Sequence, residues 1–528
     1  MSRISLYDTT LRDGMQGEGL SLTAEEKLRV AKRLDALGVD YIEAGFPSSN
    51  PKEAELFDLL GADPPGRSRI AAFGMTRRKG VAAAEDEGLG VLAASSAPAV
   101  TIVGKTWALH LEKVVKVERE ENLAMIEESC RFLVEAGKEV LYDAEHFFDG
   151  WRDDPGYAIQ CLRAAESGGA SWLVLCDTNG SSLPEQVAEA VRSAAQSLDN
   201  STGVGIHCHN DLGCGVANSL AAVKAGATQV QGTINGIGER CGNANLVTIA
   251  ANLELKLGHD CLPDGGVASL TEVSHFVDEI CNRTPNPAQP FVGRSAFAHK
   301  GGMHVAAVRE DASTFEHIEP EAVGNRREVL VGELSGKGTV LSRAAELGIG
   351  VSDHQAAAIV EEIKEHEHLG YHYEAAEGSL ELLLRRTTGD YQPLFRLESW
   401  RVIVEKEADG RVQTEATVKV WTGEERHVST AEGNGPVNAL DRALRSAIGK
   451  AHPELAGIEL VNFKVRILDE SRGTQSVTRV LLDATDGHDV WGTIGVSPNV
   501  IEASWEALVD SLEYGLQPAR GRAPDNPT

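Results

Sequence analysis

The segment around His207 and His209 carries the residue types best suited to metal chemistry. Two histidines separated by one residue on an extended segment point to the same face, because side chains alternate along a strand. Val204 and Ile206 have the opposite parity and two glycines follow, which predicts a strand that runs into a loop. The pair could also be two core histidines satisfied by hydrogen bonds, so their surroundings must decide between the two interpretations.

The elements around this pair alternate between strand-like and helix-like segments. Amphipathic stretches such as Ala24–Leu37, Glu121–Ala136 and Leu183–Ala195 separate eight strand-like runs that occur before about residue 257. The predicted strands are Ile4–Tyr7, Tyr41–Ala44, Ile70–Phe73, Val100–Val103, Val140–Tyr142, Trp172–Cys176, Val204–His207 and Gln229–Ile234. Eight such repeats in about 250 residues indicate an α/β fold with a parallel sheet closed into a (β/α)8 TIM barrel.

Polar residues follow six of these strands, at the end where such a barrel has its active site. They are Asp8–Gln16, Glu43, Asp143–His146, Asp177–Gly180, the two histidines and Asn235–Asn243. Any one cluster could be a helix cap or a salt bridge, but six at one end favour a shared site. We predict that Asp13, His207 and His209 bind one divalent metal, with Asn243 close by. This ligand set suits Mn, Zn, Co or Fe, and Mg where substrate oxygens complete the shell.

Composition limits the partners and the location of the protein. The net charge of −29 argues against nucleic acid or an anionic membrane as a partner. Because the first strand-like run begins at Ile4, we expect no signal peptide, and no apolar run is long enough to span a membrane. All eight cysteines lie between Cys130 and Cys281 without a Cys-x-x-Cys pattern, which favours a reduced, cytoplasmic setting.

The remainder of the chain no longer shows the alternation of strand-like and helix-like segments that predicts the barrel. Thr284–Pro290 contains three prolines in seven residues and marks a boundary after the barrel. We predict a catalytic barrel over residues 1–285, a mostly helical connector over 286–390 and an α+β domain over 391–528. The last dozen residues are rich in Pro and Arg, and we expect them to be disordered.

The predicted C-terminal domain contains a duplication. Thr430–Leu444 is similar to Thr493–Leu508, and strand-like runs precede each segment, so we predict two ββα units related by pseudo-symmetry. Gly435 and Ser497 lie in the turns before the two helices. Because helix N-termini bind carboxylates, one interpretation is an effector site near these residues. The other is a dimerisation module without a ligand.

Several motifs resemble those of a known enzyme family. The signatures are Leu6–Gly14 (LYDTTLRDG), His207–Asp211 (HCHND) and Gly238–Asn243 (GERCGN). They are similar to the barrel metalloenzymes that condense acetyl-CoA with 2-oxo acids, a family that includes isopropylmalate, homocitrate and citramalate synthases. Longer stretches are most similar to the long citramalate synthases, namely Phe73–Arg78, Thr101–Lys105, Tyr142–Gly150, Leu175–Gly180 and Phe297–Val305.

This resemblance implies a condensation of acetyl-CoA with pyruvate and gives roles to individual residues. Arg12 would hold the charge that develops on the substrate oxygens, while Gln16 and Thr178 would bind the 2-oxo acid. Either Glu145 or His304 would take the proton from the acetyl methyl group. The resemblance also implies a homodimer and a branched-chain amino acid, isoleucine, as effector.

One departure from the family pattern bears on catalysis. Phe315 stands where citramalate synthases are expected to have a tyrosine. Any role of that hydroxyl group in catalysis cannot apply to this chain.

Three alternatives stay open on the sequence alone. The acceptor could be another 2-oxo acid, as in isopropylmalate or homocitrate synthases. Ser95, Ser96, Ala97 and Thr178 are predicted to line the pocket and carry no cation for a second carboxylate, which argues against 2-oxoglutarate. A hydroxyacyl-CoA lyase would lack the C-terminal repeat and would carry a reactive loop cysteine, for which Cys241 is the candidate. An effector-binding protein with an inactive barrel would not need to retain Asp13 and both histidines.

Overall fold

The computed structural model describes residues 3–199, 201–332, 335–468, 473 and 475–517 of the chain. Two units divide these residues, one containing 3–297 and 318–326 and the other containing 298–317 and those from 327 onward. The boundaries predicted near residues 285 and 390 stay predictions. The prediction for the C-terminal tail falls, apart from its first residue, outside the described residues.

Eight parallel strands form the closed barrel of the first unit, which confirms the predicted fold class. The strands β1 to β8 are Ser5–Asp8, Tyr41–Gly45, Arg69–Met75, Ala99–Lys105, Glu139–Glu145, Trp172–Asp177, Gly203–Cys208 and Gln229–Gly232. They follow one another around the barrel in chain order, and β1 closes it by pairing with β8. Each lies within a few residues of its predicted position.

Helices surround this barrel, and their ends follow from local sequence signals. The helices α1 to α11 are Ala24–Leu37, Pro51–Ala62, Glu87–Ala94, Ala108–His110, Arg119–Glu135, Phe147–Asp153, Pro155–Ser167, Pro184–Ser197, Gly215–Ala225, Leu246–Leu255 and Leu270–Ile280. In front of α1, Thr23 and Glu26 each accept a hydrogen bond from the backbone N–H of the other, which forms a capping box. Gly38 ends α1 with a left-handed φ of 91°, which glycine adopts without strain.

The interior of the barrel is built in layers. Every second residue of a strand faces inward, because side chains alternate along a strand. The lower layer is apolar and contains Tyr7, Tyr41, Ala71, Ala99 and Leu141. Two positions further along β2, β4 and β5 lie Glu43, Thr101 and Asp143, all of them buried. A packed apolar layer therefore supports a polar layer toward the C-terminal ends of the strands.

The second unit begins with short elements and helices. A two-stranded sheet pairs β9 (Ala298–His299) with β10 (Glu328–Val329). The helices α12 to α15 are Gly302–Glu310, Lys337–Glu346, Asp353–Leu369 and Glu377–Thr388. Residues of the last three share one hydrophobic core, which includes Val340, Ile359 and Leu380. The prediction of a mostly helical segment after the barrel agrees with these elements.

The C-terminal repeat has one strand more in each half than predicted. The first half contains β11 (Arg396–Lys406), β12 (Val412–Thr422), β13 (Glu425–Gly433) and α16 (Pro436–Ile448). The second contains β14 (Glu459–Ile467), β15 (Thr478–Thr485), β16 (Val490–Ser497) and α17 (Val500–Gly515). Each half is a three-stranded antiparallel sheet with one helix, so the repeated unit is βββα rather than ββα.

The two additional strands lack the apolar alternation that identified the others. β13 (ERHVSTAEG) is mostly polar, and β16 (VWGTIGVS) contains two glycines that a sequence pattern assigns to a turn. Gly495 is required by close packing, because a Cβ there would lie 1.9 Å from the Ala503 carbonyl oxygen of α17. Both helices bury apolar side chains in one core with their sheets. Within the described parts of the chain, none of the helices is both long enough and apolar enough to cross a membrane.

Candidate metal centre and catalytic pocket

A cavity of about 320 Å³ opens at the C-terminal ends of the barrel strands. Its lining residues are Arg12, Asp13, Gln16, Phe46, Phe73, Met75, Val103, Lys105, Asp143, Glu145, Cys176, Thr178, His207, His209, Glu239 and Arg240. The barrel residues that we predicted for metal binding and catalysis therefore meet in one place, except for Asn243, which lies beside the cavity.

Asp13, His207 and His209 converge on one point of this cavity. Nε2 of His207 lies 3.2 Å from Oδ2 of Asp13, and Nε2 of His209 lies 3.7 Å from the same oxygen. All three side chains are buried, and each offers a ligand atom within 4.8 Å of the other two. Asn243 donates a hydrogen bond from Nδ2 to the Ile237 carbonyl oxygen, 3.2 Å away. Its Oδ1 atom is buried and has no hydrogen-bond partner among the described residues.

Burial and charge set the pKa values of these side chains. Burial alone would raise the pKa of Asp13, but the Arg12 charge and a hydrogen bond from His207 hold it well below its usual range. Burial would lower the pKa of His207, but Asp13 raises it above the ordinary histidine value. Burial and the charge of His207 lower the pKa of His209 to about 4. His209 is therefore a neutral imidazole at neutral pH, with a lone pair for a cation.

Arg12 is held in place by three neighbours. Its Nε donates a hydrogen bond of 2.5 Å to Oε2 of Glu43, and its Nη1 lies 3.3 Å from Oδ1 of Asp13. The guanidinium carbon lies 3.9 Å from the centre of the Phe73 ring. Tyr7 donates a hydrogen bond of 2.8 Å to the other oxygen of Glu43. The arginine is thus a fixed positive charge at the wall of the cavity, directly beside the candidate metal ligands.

Glu145 and Thr178 also face the cavity. The Glu145 carboxylate forms an ion pair with Nζ of Lys105, on the neighbouring strand. Oγ1 of Thr178 accepts a hydrogen bond of 2.9 Å from the backbone N–H of His146. The hydroxyl proton of Thr178 therefore stays available for an acceptor in the cavity.

Sequence reasoning gave no role to Gln231 and left Asp143 without one. Oε1 of Gln231 lies 3.0 Å from Nδ1 of His207, and its Nε2 donates a hydrogen bond of 3.2 Å to Oδ1 of Asp143. Burial and the charge of Glu43 raise the pKa of Asp143 to about 7. The sequence could have identified Gln231 through its position on β8. Residues 229 and 231 are two apart on this strand, so both side chains point into the barrel.

The prediction that Ser95, Ser96 and Ala97 line the pocket was wrong. These residues precede β4, at the N-terminal end of the strand, whereas the cavity lies at the C-terminal end. Lys138 donates hydrogen bonds from Nζ to the carbonyl oxygens of Ser95 and Ala97. The pocket walls come instead from residues further along β3 and β4, namely Phe73, Met75 and Val103.

The remaining candidates lie in the second unit. His304 is an exposed residue of α12, and its ring is stacked on Phe315 with 4.1 Å between the ring centres. Gly435 precedes the first turn of α16, which no side chain among the described residues caps. Ser497 ends β16 and accepts a hydrogen bond of 3.1 Å from the Asn499 N–H.

Three family models match successive parts of the chain. Residues 3–277 match the model described as HMGL-like. Residues 291–370 match the homocitrate synthase post-HMGL domain-like model. Residues 374–516 match the LeuA allosteric (dimerisation) domain.

Curated relatives match the chain over nearly its whole length. The (R)-citramalate synthase of Synechocystis sp. is 47% identical, over 97% of this chain and 96% of the relative. The (R)-citramalate synthase of Aquifex aeolicus is 48% identical, over 97% of this chain and 98% of the relative. A probable 2-isopropylmalate synthase of Methanopyrus kandleri is 32% identical, over 96% of this chain and 97% of the relative.

Proposed function

The chain belongs to the HMGL-like family and, within it, to the (R)-citramalate synthases, and from this premise we propose that it condenses acetyl-CoA with pyruvate. The products are citramalate and free CoA. The observation that carries the proposal is the identity of 47% and 48% to two curated citramalate synthases, over 96% and 98% of their length. The enzyme is accordingly a transferase that converts the acetyl group into an alkyl group on transfer.

We further propose that Asp13, His207 and His209 hold one divalent metal ion, with Asn243 completing the site. Two observations favour the fit. Three ligand atoms converge within 4.8 Å, and the buried Oδ1 atom of Asn243 has no partner among the described residues. One carboxylate and two imidazoles suit Zn or Mn, and Mg with substrate oxygens added. Such an ion, when bound, polarises the keto group and offsets the negative charge of a 2-oxo acid.

Residues beside this site are suited to bind pyruvate. Arg12 carries a fixed positive charge that can stabilise negative charge on the keto oxygen as the new bond forms. Thr178 can donate its hydroxyl proton to the substrate carboxylate, because its oxygen already accepts a backbone hydrogen bond. Gln16 lies at the cavity wall and offers a further amide group.

The reaction needs a base for the methyl group of acetyl-CoA. The base removes one proton, and the resulting carbanion equivalent attacks the keto carbon, whose oxygen then takes up a proton. Hydrolysis of the thioester by water gives the carboxylate of citramalate and releases CoA as a thiol. Glu145 and His304 are the two candidates. Glu145 lines the cavity and Lys105 holds its carboxylate there, whereas His304 belongs to the second unit.

We expect pyruvate to be the preferred acceptor. The three cations that line the cavity, Arg12, Lys105 and Arg240, each form an ion pair with a carboxylate of the protein. A second substrate carboxylate, as in 2-oxoglutarate, would therefore find no unpaired cation among the described lining residues. Bulky walls from Phe73 and Met75 should also disfavour a branched acceptor.

The test is thiol release from acetyl-CoA with pyruvate, 2-oxobutyrate, 2-oxoisovalerate and 2-oxoglutarate in turn. We expect kcat/KM for pyruvate to exceed that for 2-oxoisovalerate by at least about tenfold. This is the discrimination that a pocket achieves against a substrate with one or two additional carbon atoms. A higher kcat/KM with 2-oxoisovalerate would make the protein an isopropylmalate synthase. Cleavage of a hydroxyacyl-CoA to acetyl-CoA and a keto acid, without release of free thiol, would instead support the lyase alternative, for which Cys241 is the candidate reactive residue.

We also propose that the C-terminal repeat joins two copies of the chain and binds isoleucine. The matching model is described as an allosteric (dimerisation) domain. The uncapped first turn of α16 offers backbone N–H groups to a carboxylate, near Gly435. By the pseudo-symmetry of the repeat, the equivalent position in the second half is near Ser497. Partly buried Val437 and half-exposed Val500 could receive an aliphatic side chain.

A partly buried polar seam connects this domain to the helices that precede it. Asp510 of α17 accepts hydrogen bonds of 2.7 Å from Ser379 and from Arg386, both on α15. Glu506 of α17 accepts one from the Tyr371 hydroxyl. A ligand that favours one position of α17 would therefore also bias α15. A chain that is cut near residue 391 would lack α17 and would expose the side of α15 that contacts it. The binding experiments should therefore use the full chain.

Isoleucine is expected to bind the full chain and inhibit it. The measurement is calorimetric titration of isoleucine, leucine and valine, together with initial rates at saturating isoleucine. Gly435→Val should weaken isoleucine binding, because its side chain would occupy the proposed site. Gly457→Val is the matched control, since the Cβ position is open at both glycines. Full activity at saturating isoleucine and no heat from any of the three amino acids would reduce the domain to a dimerisation module.

A further inference from the structure

Gln231 lies in a buried chain of three side chains behind the candidate metal site. It is directly opposite His207 in the pairing of β7 with β8. Its Oε1 atom lies 3.0 Å from Nδ1 of His207, and its Nε2 atom lies 3.2 Å from Oδ1 of Asp143. All three residues are buried, with at most 5% of their surface exposed. The chain Asp143–Gln231–His207 is therefore shielded from competing water.

The donors and acceptors of this chain have one consistent arrangement when Asp143 is ionised. A carboxylate only accepts hydrogen bonds, so the NH₂ group of Gln231 must point to Asp143. The amide oxygen then points to His207, and Nδ1 of that ring must carry the proton. A neutral imidazole has one protonated nitrogen, so Nε2 then has a lone pair for a cation, in place of the proton that a protonated His207 donates to Asp13. Nε2 is also the atom that lies 3.2 Å from Asp13.

The second histidine has no such support. Nδ1 of His209 is buried and makes no hydrogen bond to any described residue. The two imidazoles therefore differ, although they come from the same strand and face the same point. A residue that only filled space in the barrel would not need to present its oxygen to one ring and its NH₂ group to a carboxylate.

We infer that Gln231 is a positioning residue for the metal site. Held by Asp143, it fixes His207 in the tautomer whose Nε2 lone pair faces the cation. The inference rests on the metal ligation proposed above. Groups that hydrogen-bond the outer nitrogen of a ligating histidine orient the ring and increase its basicity, and their loss weakens metal affinity by about 10- to 100-fold.

Gln229 provides a matched control on the same strand. It lies two residues before Gln231 and is fully buried, so it faces the same interior. Neither its Oε1 nor its Nε2 atom hydrogen-bonds to a described residue. Gln229→Leu therefore removes an equal buried amide without touching His207.

The experiment measures Zn²⁺ and Mn²⁺ affinity of the metal-free full chain by competition with a chromophoric chelator. We expect Gln231→Leu and Gln231→Met to weaken binding by about 10- to 100-fold. Gln229→Leu should bind like the wild type. Gln231→Glu keeps an acceptor oxygen opposite Nδ1 and should restore most of the affinity.

A second readout reports the tautomer itself. In metal-free protein labelled with ¹⁵N-histidine, at a pH where the ring is neutral, Nδ1 of His207 should show the shift of a protonated nitrogen. Gln231→Leu should move this signal toward a mixture of tautomers. A purely structural role for Gln231 would leave the signal unchanged.

His207→Ala separates failure of this inference from failure of the metal site. Equal metal binding by the wild type and His207→Ala would overturn the metal ligation itself. Loss of binding in His207→Ala, together with wild-type affinity and tautomer in Gln231→Leu, would overturn only the role of Gln231. Gln231→Met keeps the length of the side chain, so it gives the same decision if Gln231→Leu does not fold.

Discussion

Replacing His207 or His209 by Ala is expected to abolish metal-dependent turnover while the barrel stays folded. Each histidine supplies one of three ligand atoms that lie within 4.8 Å of one another. A cation that polarises a keto group stabilises the transition state by several kcal/mol, and each 1.4 kcal/mol is a factor of ten in rate. We therefore expect kcat to fall by at least about 10³-fold.

The measurement is thiol release from acetyl-CoA with pyruvate, before and after chelation and with Zn²⁺, Mn²⁺ or Mg²⁺ added back. His275→Ala is the matched control, because this exposed histidine of α11 belongs to the same unit but lies outside the cavity. Circular dichroism checks that each variant is folded. Turnover that survives in a metal-stripped variant lacking both histidines would show that the reaction does not use this site.

The barrel could be predicted from sequence because its signals are local. Strand-like and helix-like periodicity alternate eight times along the chain, and polar residues follow six of the predicted strands at their C-terminal ends. Parity within one strand is enough to put His207 beside His209. It also puts Asp143 beside Glu145, on the inner face. No knowledge of neighbouring strands is needed for these statements.

Contacts between strands could not be predicted in the same way. Gln231 faces His207, and Lys105 pairs with Glu145, only because of the register between neighbouring strands. Register is set by the packing of the whole sheet and leaves no pattern within a single segment. The error at Ser95–Ala97 has a different cause, because these residues precede β4 in the chain and chain order alone already puts them at the N-terminal end of that strand.

The repeated C-terminal unit shows a second limit. β13 and β16 are held by pairing with β12 and β15 and by packing against the helices. Their own residues carry a weak strand signal, because β propensity depends strongly on the surroundings. Gly492 and Gly495 suggest a turn, yet both lie within β16, where neighbouring backbone approaches closely. Tertiary packing decides the structure at these positions.

Arg12→Lys is expected to lower kcat by about 10²- to 10³-fold, the loss seen when one donor to a developing oxyanion is removed. The guanidinium of Arg12 contacts Glu43 through Nε, lies 3.3 Å from Asp13 through Nη1, and rests on the Phe73 ring. A lysine has a single ammonium on a flexible stem. It cannot occupy these three positions at once or keep a planar donor fixed at the cavity wall.

Arg119→Lys is the matched control for this substitution. Arg119 also pairs with a carboxylate, at 2.7 Å from Asp154, and lies over an aromatic ring, 4.6 Å from the centre of Tyr157. It is half exposed and lies outside the cavity, so its replacement should leave kcat unchanged. The comparison separates the loss of a guanidinium in general from the loss of the one that faces the substrate.

The changes in kcat and in KM that Arg12→Lys causes distinguish a catalytic role of Arg12 from a role in substrate binding alone. A group that acts on charge developing in the transition state lowers kcat and kcat/KM together, whereas a group that only binds pyruvate raises KM. Glu43→Gln should give a smaller fall in kcat, because it keeps an acceptor for Arg12 but removes the charge that orients it. If Arg12→Lys kept kcat within about twofold and raised only KM for pyruvate, Arg12 would be a substrate-binding residue without a part in the chemical step.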